Sequence, residues 1–201
     1  MIIIGLTGSI GMGKTTTAGM FKDEGIPVND SDAVVHDLYK TDAVEPVGRA
    51  FPGSIRDDVI DRAELARQLS LDPDGFSRLE AIVHPLVRKR EKQFVEIQKA
   101  AGTDLVLLDI PLLFETGAEK RVDVIVVATC DPQIQRQRVL ARPGMTEEKF
   151  NLILNRQLPD QQKRERADFL VDTGGGLMQA KRRVQEIIAL LRSGIRSERH
   201  A

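Results

Sequence analysis

Apolar runs bounded by turn residues recur along the chain at IIIGLTG, IPVND, LVLLDIP, VDVIVVAT and ADFLVDT, and stretches with helical spacing lie between most of them. Short apolar runs without polar alternation suit strands covered on both faces. Strand and helix in alternation predict an α/β fold, a parallel sheet with helices on both faces. Ligands in such sheets bind beyond the carboxyl ends of the strands. The positions to weigh for chemistry are therefore those that close each run: residues 8–15, Asp30 and Asp32, Pro111–Glu115, Thr129–Asp131 and Asp172–Gly176.

Between Ala33 and Gly102 the alternation stops and helical periodicity takes over, as in AELARQL and LEAIVHPLVRKREKQFVEIQKA. This segment reads as a helical insertion with turns at Pro52-Gly53 and Asp72-Pro73-Asp74-Gly75. A shorter insertion from Gln133 to Arg166, rich in Arg and Gln and broken by Pro143-Gly144 and Pro159, reads as a mobile lid. From Leu177 an amphipathic helix is expected, ending in a frayed polar segment, Ser193 to Ala201. The expected division is a core at 1–33, 105–132 and 167–201, a helical domain at 34–104 and a lid at 133–166.

The first run leads into GLTGSIGMGKTTT, residues 5–17, which fits G-x-x-x-x-G-K-[ST] through Gly8, Gly13, Lys14 and Thr15. A strand in front and a helix behind are the context a phosphate loop needs. Its glycines let successive N–H groups converge on phosphates at a helix N-terminus. Lys14 then reaches the β and γ oxygens, and the Thr15 hydroxyl is placed to ligate magnesium.

Bulk composition narrows the partners. Lys and Arg number 29 against 30 Asp and Glu, a formal charge of -1 over 201 residues, so nothing global favours nucleic acid or an anionic membrane. Cys130 is the one cysteine, which excludes an internal disulfide and a cysteine-built zinc site and suits a reducing compartment. It is expected as a small buried residue at a strand end. No apolar run approaches membrane-spanning length and no basic leader precedes the first strand, so a soluble, cytoplasmic protein is expected.

No Asn-Lys dipeptide occurs, so the guanine-reading element of a GTP switch is missing; LVLLDIP offers Asp109 without the neighbouring Glu usual in motor ATPases. A small-molecule kinase needs a loop, an acceptor-side carboxylate and an arginine lid, because phosphoryl transfer is mainly positioning and charge neutralisation. In VNDSDAVVH, Asp30 and Asp32 share one face if the extended conformation persists. The competing reading makes Ser31 or Asp32 the N-cap of a helix from Ala33 to Tyr39. In the lid, Arg138 and Arg142 stand four apart, with Arg136 near the same face, and serve either the transferring phosphoryl group or a solvated surface.

Together these motifs resemble the dephospho-coenzyme A kinases over nearly the whole chain. IGLTGSIGMGKTT resembles their phosphate loop, NDSDAVVH the acceptor motif and LEAIVHPLVR the histidine-proline helix. DIPLLFETG resembles the Pro-Leu-Leu-Phe-Glu element, RVLARPGMT the lid and ADFLVDTGG the closing strand and adenine-side loop. Two departures stand out: Asp-Ser-Asp replaces the usual Asp-Ala-Asp, and Thr173 stands where asparagine is common.

The resemblance implies a P-loop kinase core with a helical substrate-binding insertion and a helical lid, moving the ATP γ-phosphoryl group to the ribose 3′-hydroxyl of dephospho-CoA. It implies ATP contacts from Gly11, Met12, Gly13, Lys14, Thr15 and Thr16, with Thr173 and Gly174 on the adenine side. It makes Asp32 the acceptor of the hydroxyl proton and has Arg142, with Arg138 behind it, close over the phosphates. Thr15 is the expected Mg2+ ligand; Asp109 is either its outer partner or a strand-end carboxylate bonded to backbone. Leu112, Leu113 and Phe114 either contact the substrate or only pack, and Glu115 needs a partner. His84 serves the helix start, a buried hydrogen bond or the substrate, and lacks a second ligand for a metal. A monomer or weak homo-oligomer is expected. Two other functions fit the loop and lid: a kinase for another small acceptor, or an ATP-responsive module without turnover.

Overall fold

The computed structural model describes residues 1–197. Of the polar segment expected after the last helix, 198–201 lie outside the described residues. In chain order, β1 (Ile2–Thr7), α1 (Lys14–Asp23) and β2 (Val28–Asp30) lead into α2 (Ser31–Leu38), α3 (Val44–Ala50), β3 (Ile55–Arg56), β4 (Val59–Ile60), α4 (Arg62–Leu71) and α5 (Gly75–Ala100). Then come β5 (Leu105–Asp109), a 3-10 turn (Ala118–Arg121), β6 (Val124–Thr129), α6 (Pro132–Leu140), α7 (Glu147–Leu154), α8 (Asp160–Arg166), β7 (Phe169–Asp172) and α9 (Leu177–Arg192).

The five apolar runs form one sheet in the order β2-β5-β1-β6-β7. β1 pairs in parallel with both β5 and β6, and β6 pairs in parallel with β7. Every residue of β5 is buried, as an apolar run without alternation demands. Helices complete the layers: α9 buries Ala180, Val184, Ile187, Ile188 and Leu191, one helical stripe, into the core around Ile4, Leu6, Phe21 and Phe169. Fully burying a side chain such as Phe21 contributes about 2–3 kcal/mol. Among the described residues no helix is long and apolar enough to cross a membrane.

The described residues divide into two compact units, 1–29 with 98–197, and 30–97. The second has its own core of Leu38, Val47, Phe51, Leu65, Leu69 and Val83. It is not wholly helical: β3 and β4 form a small antiparallel hairpin, Ile55 opposite Ile60. Asp57 and Asp58 both take positive φ, 50° and 58°, which a two-residue hairpin turn requires and which Asp tolerates. Strands of two residues are too short to show a period, so the sequence reading missed them. Residues 133–166, expected as a lid, fall within the first unit and comprise α6, α7 and α8.

Candidate active site

The phosphate loop joins β1 to α1. Gly13 caps α1 with φ 87°, a conformation that suits glycine, and a Cβ there would lie 2.9 Å from Thr173. Backbone N–H groups of the first turn of α1 are thereby left for an anion. Thr15 and Thr16 are exposed, while Thr17 turns inward and donates to Gly13 C=O at 3.1 Å. Lys14 Nζ sits 2.7 Å from Asp109 Oδ1 at the carboxyl end of β5, with the Asp109 side chain 2% exposed.

Thr173, placed by sequence at the adenine side, is a strut beneath the loop. Its N–H donates to Thr129 C=O at 2.8 Å and its hydroxyl to Met12 C=O at 2.9 Å. Arg138 grips it twice, Nη1 to the hydroxyl at 2.9 Å and Nη2 to the carbonyl at 2.8 Å. Met12 is buried beside Cys130, whose N–H approaches the Met12 sulfur at 3.2 Å. Burial pushes the Cys130 thiol up, although the Arg138 charge opposes it, so the thiol stays protonated and unreactive. Cys130 is buried where expected, at the end of β6.

The lid arginines do not share a helix face. α6 ends at Leu140, with Ala141 its C-cap, so Arg138 lies on the helix and Arg142 in the turn after it. Pro143 disfavours helical backbone at Arg142, which explains the early stop. Arg136 pairs with Glu147, and Arg138 is committed to Thr173. Arg142 is exposed, and its guanidinium makes no hydrogen bond or ion pair among the described residues.

The two acceptor-motif carboxylates also part company. The extended conformation stops at Asp30, and Asp30, rather than Ser31 or Asp32, is the N-cap of α2: its Oδ1 accepts from the N–H groups of Asp32 at 2.9 Å and Ala33 at 3.1 Å. Asp32 falls in the first helical turn with its side chain exposed. The expected shared strand face is therefore absent, and the capping role belongs to Asp30.

A phosphate loop, a buried carboxylate under its lysine and an uncommitted arginine beyond α6 make a kinase-like set, and comparison with known proteins decides which kind. The family model described as CoaE, dephospho-CoA kinase, matches residues 2–179. The chain belongs to the dephospho-CoA kinase family. It is 63% identical to the dephospho-CoA kinase of Rhizobium etli over 97% of this chain and 96% of that one, and 58% identical to that of Rhizobium meliloti over 96% and 100%. Its fold matches the crystal structure of TT1252 from Thermus thermophilus with TM-score 0.79 and 33% identity, over 94% of this chain and 97% of that one. Dephospho-CoA kinase from Campylobacter jejuni, 21% identical, shares the fold with TM-score 0.73, over 96% and 98%. The activity is that of a dephospho-CoA kinase, an enzyme of CoA biosynthesis, with ATP as the phosphoryl source and dephospho-CoA as acceptor.

In the Pro-Leu-Leu-Phe-Glu element Leu113 and Phe114 are turned inward. Leu113 is fully buried over Gly5, and Phe114 lies under the Arg166 guanidinium, 4.1 Å from its ring centroid. Glu115 has the partner its position called for: Oε1 accepts from Leu158 N–H at 2.7 Å and faces the buried Lys163 Nζ at 3.0 Å. At that distance the buried ammonium favours the ionised carboxyl through both its N–H donors and its charge. Burial pushes the Glu115 carboxyl up, but the Leu158 N–H and the Lys163 charge outweigh it and hold the carboxyl below the ordinary range. Of the element, Leu112 and Glu115 keep exposed surface. His84 is half-buried inside α5, not at its start, and its ring has no hydrogen-bond partner among the described residues.

Sequence reasoning missed the residues that brace the loop from α6 and the segment between α7 and α8. Gln135 donates to Ile10 C=O at 2.8 Å, and Ile10 N–H donates to Gln157 at 3.0 Å. Glutamine belongs to no phosphate-loop motif.

Proposed function

We propose that Lys14, Asp32 and Arg142 carry the transfer of the ATP γ-phosphoryl group to the ribose 3′-hydroxyl of dephospho-CoA. The observation that carries this reading is Lys14 at the head of α1, held at 2.7 Å by a buried carboxylate behind a phosphate loop. Backbone N–H groups from Gly11 to Thr16 receive the β-phosphate, and Lys14 bridges β and γ. Arg142, uncommitted and adjoining a Pro-Gly turn, closes on the transferring group and offsets its charge. Asp32, relieved of capping by Asp30, orients the acceptor hydroxyl and takes its proton. Thr173 and Gly174 lie on the adenine side, with Thr173 acting through Met12 and Arg138.

The residues present suit a magnesium ion. Thr15 offers an exposed hydroxyl, and Asp109 a carboxylate beside Lys14. Among the described residues no cluster of three His, Cys, Asp or Glu could cage a metal, which suits an ion that takes most of its ligands from phosphates and water. When bound, magnesium neutralises phosphate charge and fixes the phosphate chain. Thr15 would hold it directly, with Asp109 behind.

Residues 34–104 form the dock for dephospho-CoA, with His84 as a contact; in the other unit Leu112 offers an exposed contact supported by Leu113, Phe114 and Glu115, and 133–166 is the moving lid. A reducing, cytoplasmic setting agrees with the free buried thiol of Cys130. The test is a coupled assay with ATP, magnesium and a panel of acceptors. Dephospho-CoA should be phosphorylated far faster than any nucleoside, and Lys14→Ala should lose about a hundred- to a thousandfold in turnover. Wild-type turnover in Lys14→Ala would overturn the phosphate-loop assignment.

A further inference from the structure

The turn at the head of the phosphate loop has two orientations open to it, and a glutamine from α6 decides between them. Met12 N–H donates to Ser9 C=O at 3.1 Å, closing a four-residue turn with Ile10 and Gly11 at its centre. Gly11 has φ 78°, the value a type II turn requires at its third residue. The type I alternative differs mainly by a flip of the Ile10–Gly11 peptide, and glycine accepts either form. Because the peptide is planar and trans, the Ile10 C=O and the Gly11 N–H point in opposite directions. Fixing one fixes the other.

Gln135 Nε2 donates to the Ile10 carbonyl at 2.8 Å, which aims the Gly11 N–H away from α6. From the segment between α7 and α8, Gln157 Oε1 accepts from the Ile10 N–H at 3.0 Å. The backbone donor and acceptor dictate which amide atom faces each, so neither side chain is ambiguous. Gln135 is 6% exposed, and the two glutamines stand 125 and 147 residues from Ile10, so tertiary packing brings them there, not local chain geometry.

We propose that Gln135 and Gln157 are positioning residues for ATP: they hold the Ile10–Gly11 peptide so that the Gly11 N–H faces the phosphate chain and the Ile10 carbonyl is kept off it. This rests on residues 8–15 being the phosphate loop. A carbonyl flipped towards the anion would set partial negative charge against phosphate where a donor is needed. Gln135 sets the flip, and Gln157 pins the preceding peptide.

The test is calorimetric titration of ATP into the full-length protein, with steady-state KM for both substrates. Gln135→Met keeps length and packing but cannot donate; its ATP Kd should rise at least about tenfold. Its KM for ATP should follow, with KM for dephospho-CoA within about twofold of wild type. Gln157→Met should raise the ATP Kd about threefold, and Gln157→Glu, which still accepts, should return it towards wild type. An ATP Kd within about twofold of wild type in Gln135→Met overturns the proposal, as does an equal rise in both KM values, the mark of general loosening. If Gln135→Met does not fold, the Gln157 pair decides, and a glutamate variant binding ATP no better than the methionine variant overturns it. A wild-type protein that binds no ATP removes the phosphate-loop reading and the proposal with it; a wild type that binds and a Gln135→Met that binds equally well removes the proposal alone.

Discussion

Lys14 Nζ lies 2.7 Å from Asp109 Oδ1, so the phosphate-loop lysine rests on a carboxylate that is almost wholly withdrawn from solvent. The pair joins α1 to the carboxyl end of β5. It holds the ammonium in place, and the proposed phosphate contact would use its other two N–H donors. Asp109 is thus neither isolated nor merely bonded to backbone.

If Asp109 also stands behind the magnesium ion, Asp109→Asn keeps an acceptor for Lys14 and loses the charge the metal needs. Half-saturating magnesium in the kinase assay should rise about tenfold or more, the usual effect of removing an outer partner. An unchanged magnesium dependence would leave Asp109 as the anchor of Lys14 alone.

The Glu115 and Lys163 pair makes a stability prediction with a defined pH sign. Glu115→Gln leaves the Lys163 ammonium buried without its counter-charge; with partial solvent access at Glu115 the loss is about 2 kcal/mol, about 4–8 °C in Tm. Because the folded-state carboxyl is held below its ordinary value, its stabilisation is complete above about pH 4.3 and is lost as pH falls through the lower folded value. The Tm gap between wild type and Glu115→Gln should therefore be full at neutral pH and close in acid. A gap that persists unchanged in strong acid would rule the ion pair out as its cause.

Arg138 and Arg142 should separate cleanly. Arg142→Ala should lower kcat by about a hundredfold or more with Tm unchanged, since the side chain is exposed and uncommitted. Arg142→Lys should recover part of the loss, lacking the planar fork. Arg138→Ala removes two bonds to Thr173 and should lower Tm and raise KM for ATP. A kinetic defect in Arg138→Ala confined to kcat would return Arg138 to the transferring phosphoryl group.

The five-stranded sheet was legible because its strands are buried on both faces and their apolar runs stop at turn residues. The phosphate loop was legible because glycine, lysine and threonine at fixed spacing have one common purpose. Local ambiguity hid the rest. Asp30, Ser31 and Asp32 are all favoured caps, and only the end of β2 picks Asp30. Arg138 and Arg142 look like one helix face until Pro143 stops the helix. A partner for Glu115 was foreseeable, yet Lys163 reads as an ordinary surface lysine of a polar helix although it is fully buried. Gln135 and Gln157 meet Ile10 through its backbone, which leaves no trace in side-chain pattern.

Asp32 carries the central claim, because the structure frees it from the role that competed with catalysis. Asp30→Ala should cost about 1 kcal/mol of stability as a lost cap, while Asp32→Asn should leave Tm and ATP affinity unchanged. Asparagine takes up no proton and presents no charge to the acceptor hydroxyl. The decisive measurement is kcat for dephospho-CoA in Asp32→Asn at saturating ATP and magnesium. The account predicts a fall of at least about a hundredfold, the lower end of what a general base contributes. Turnover within about twofold of wild type would contradict it and remove Asp32 from the chemistry.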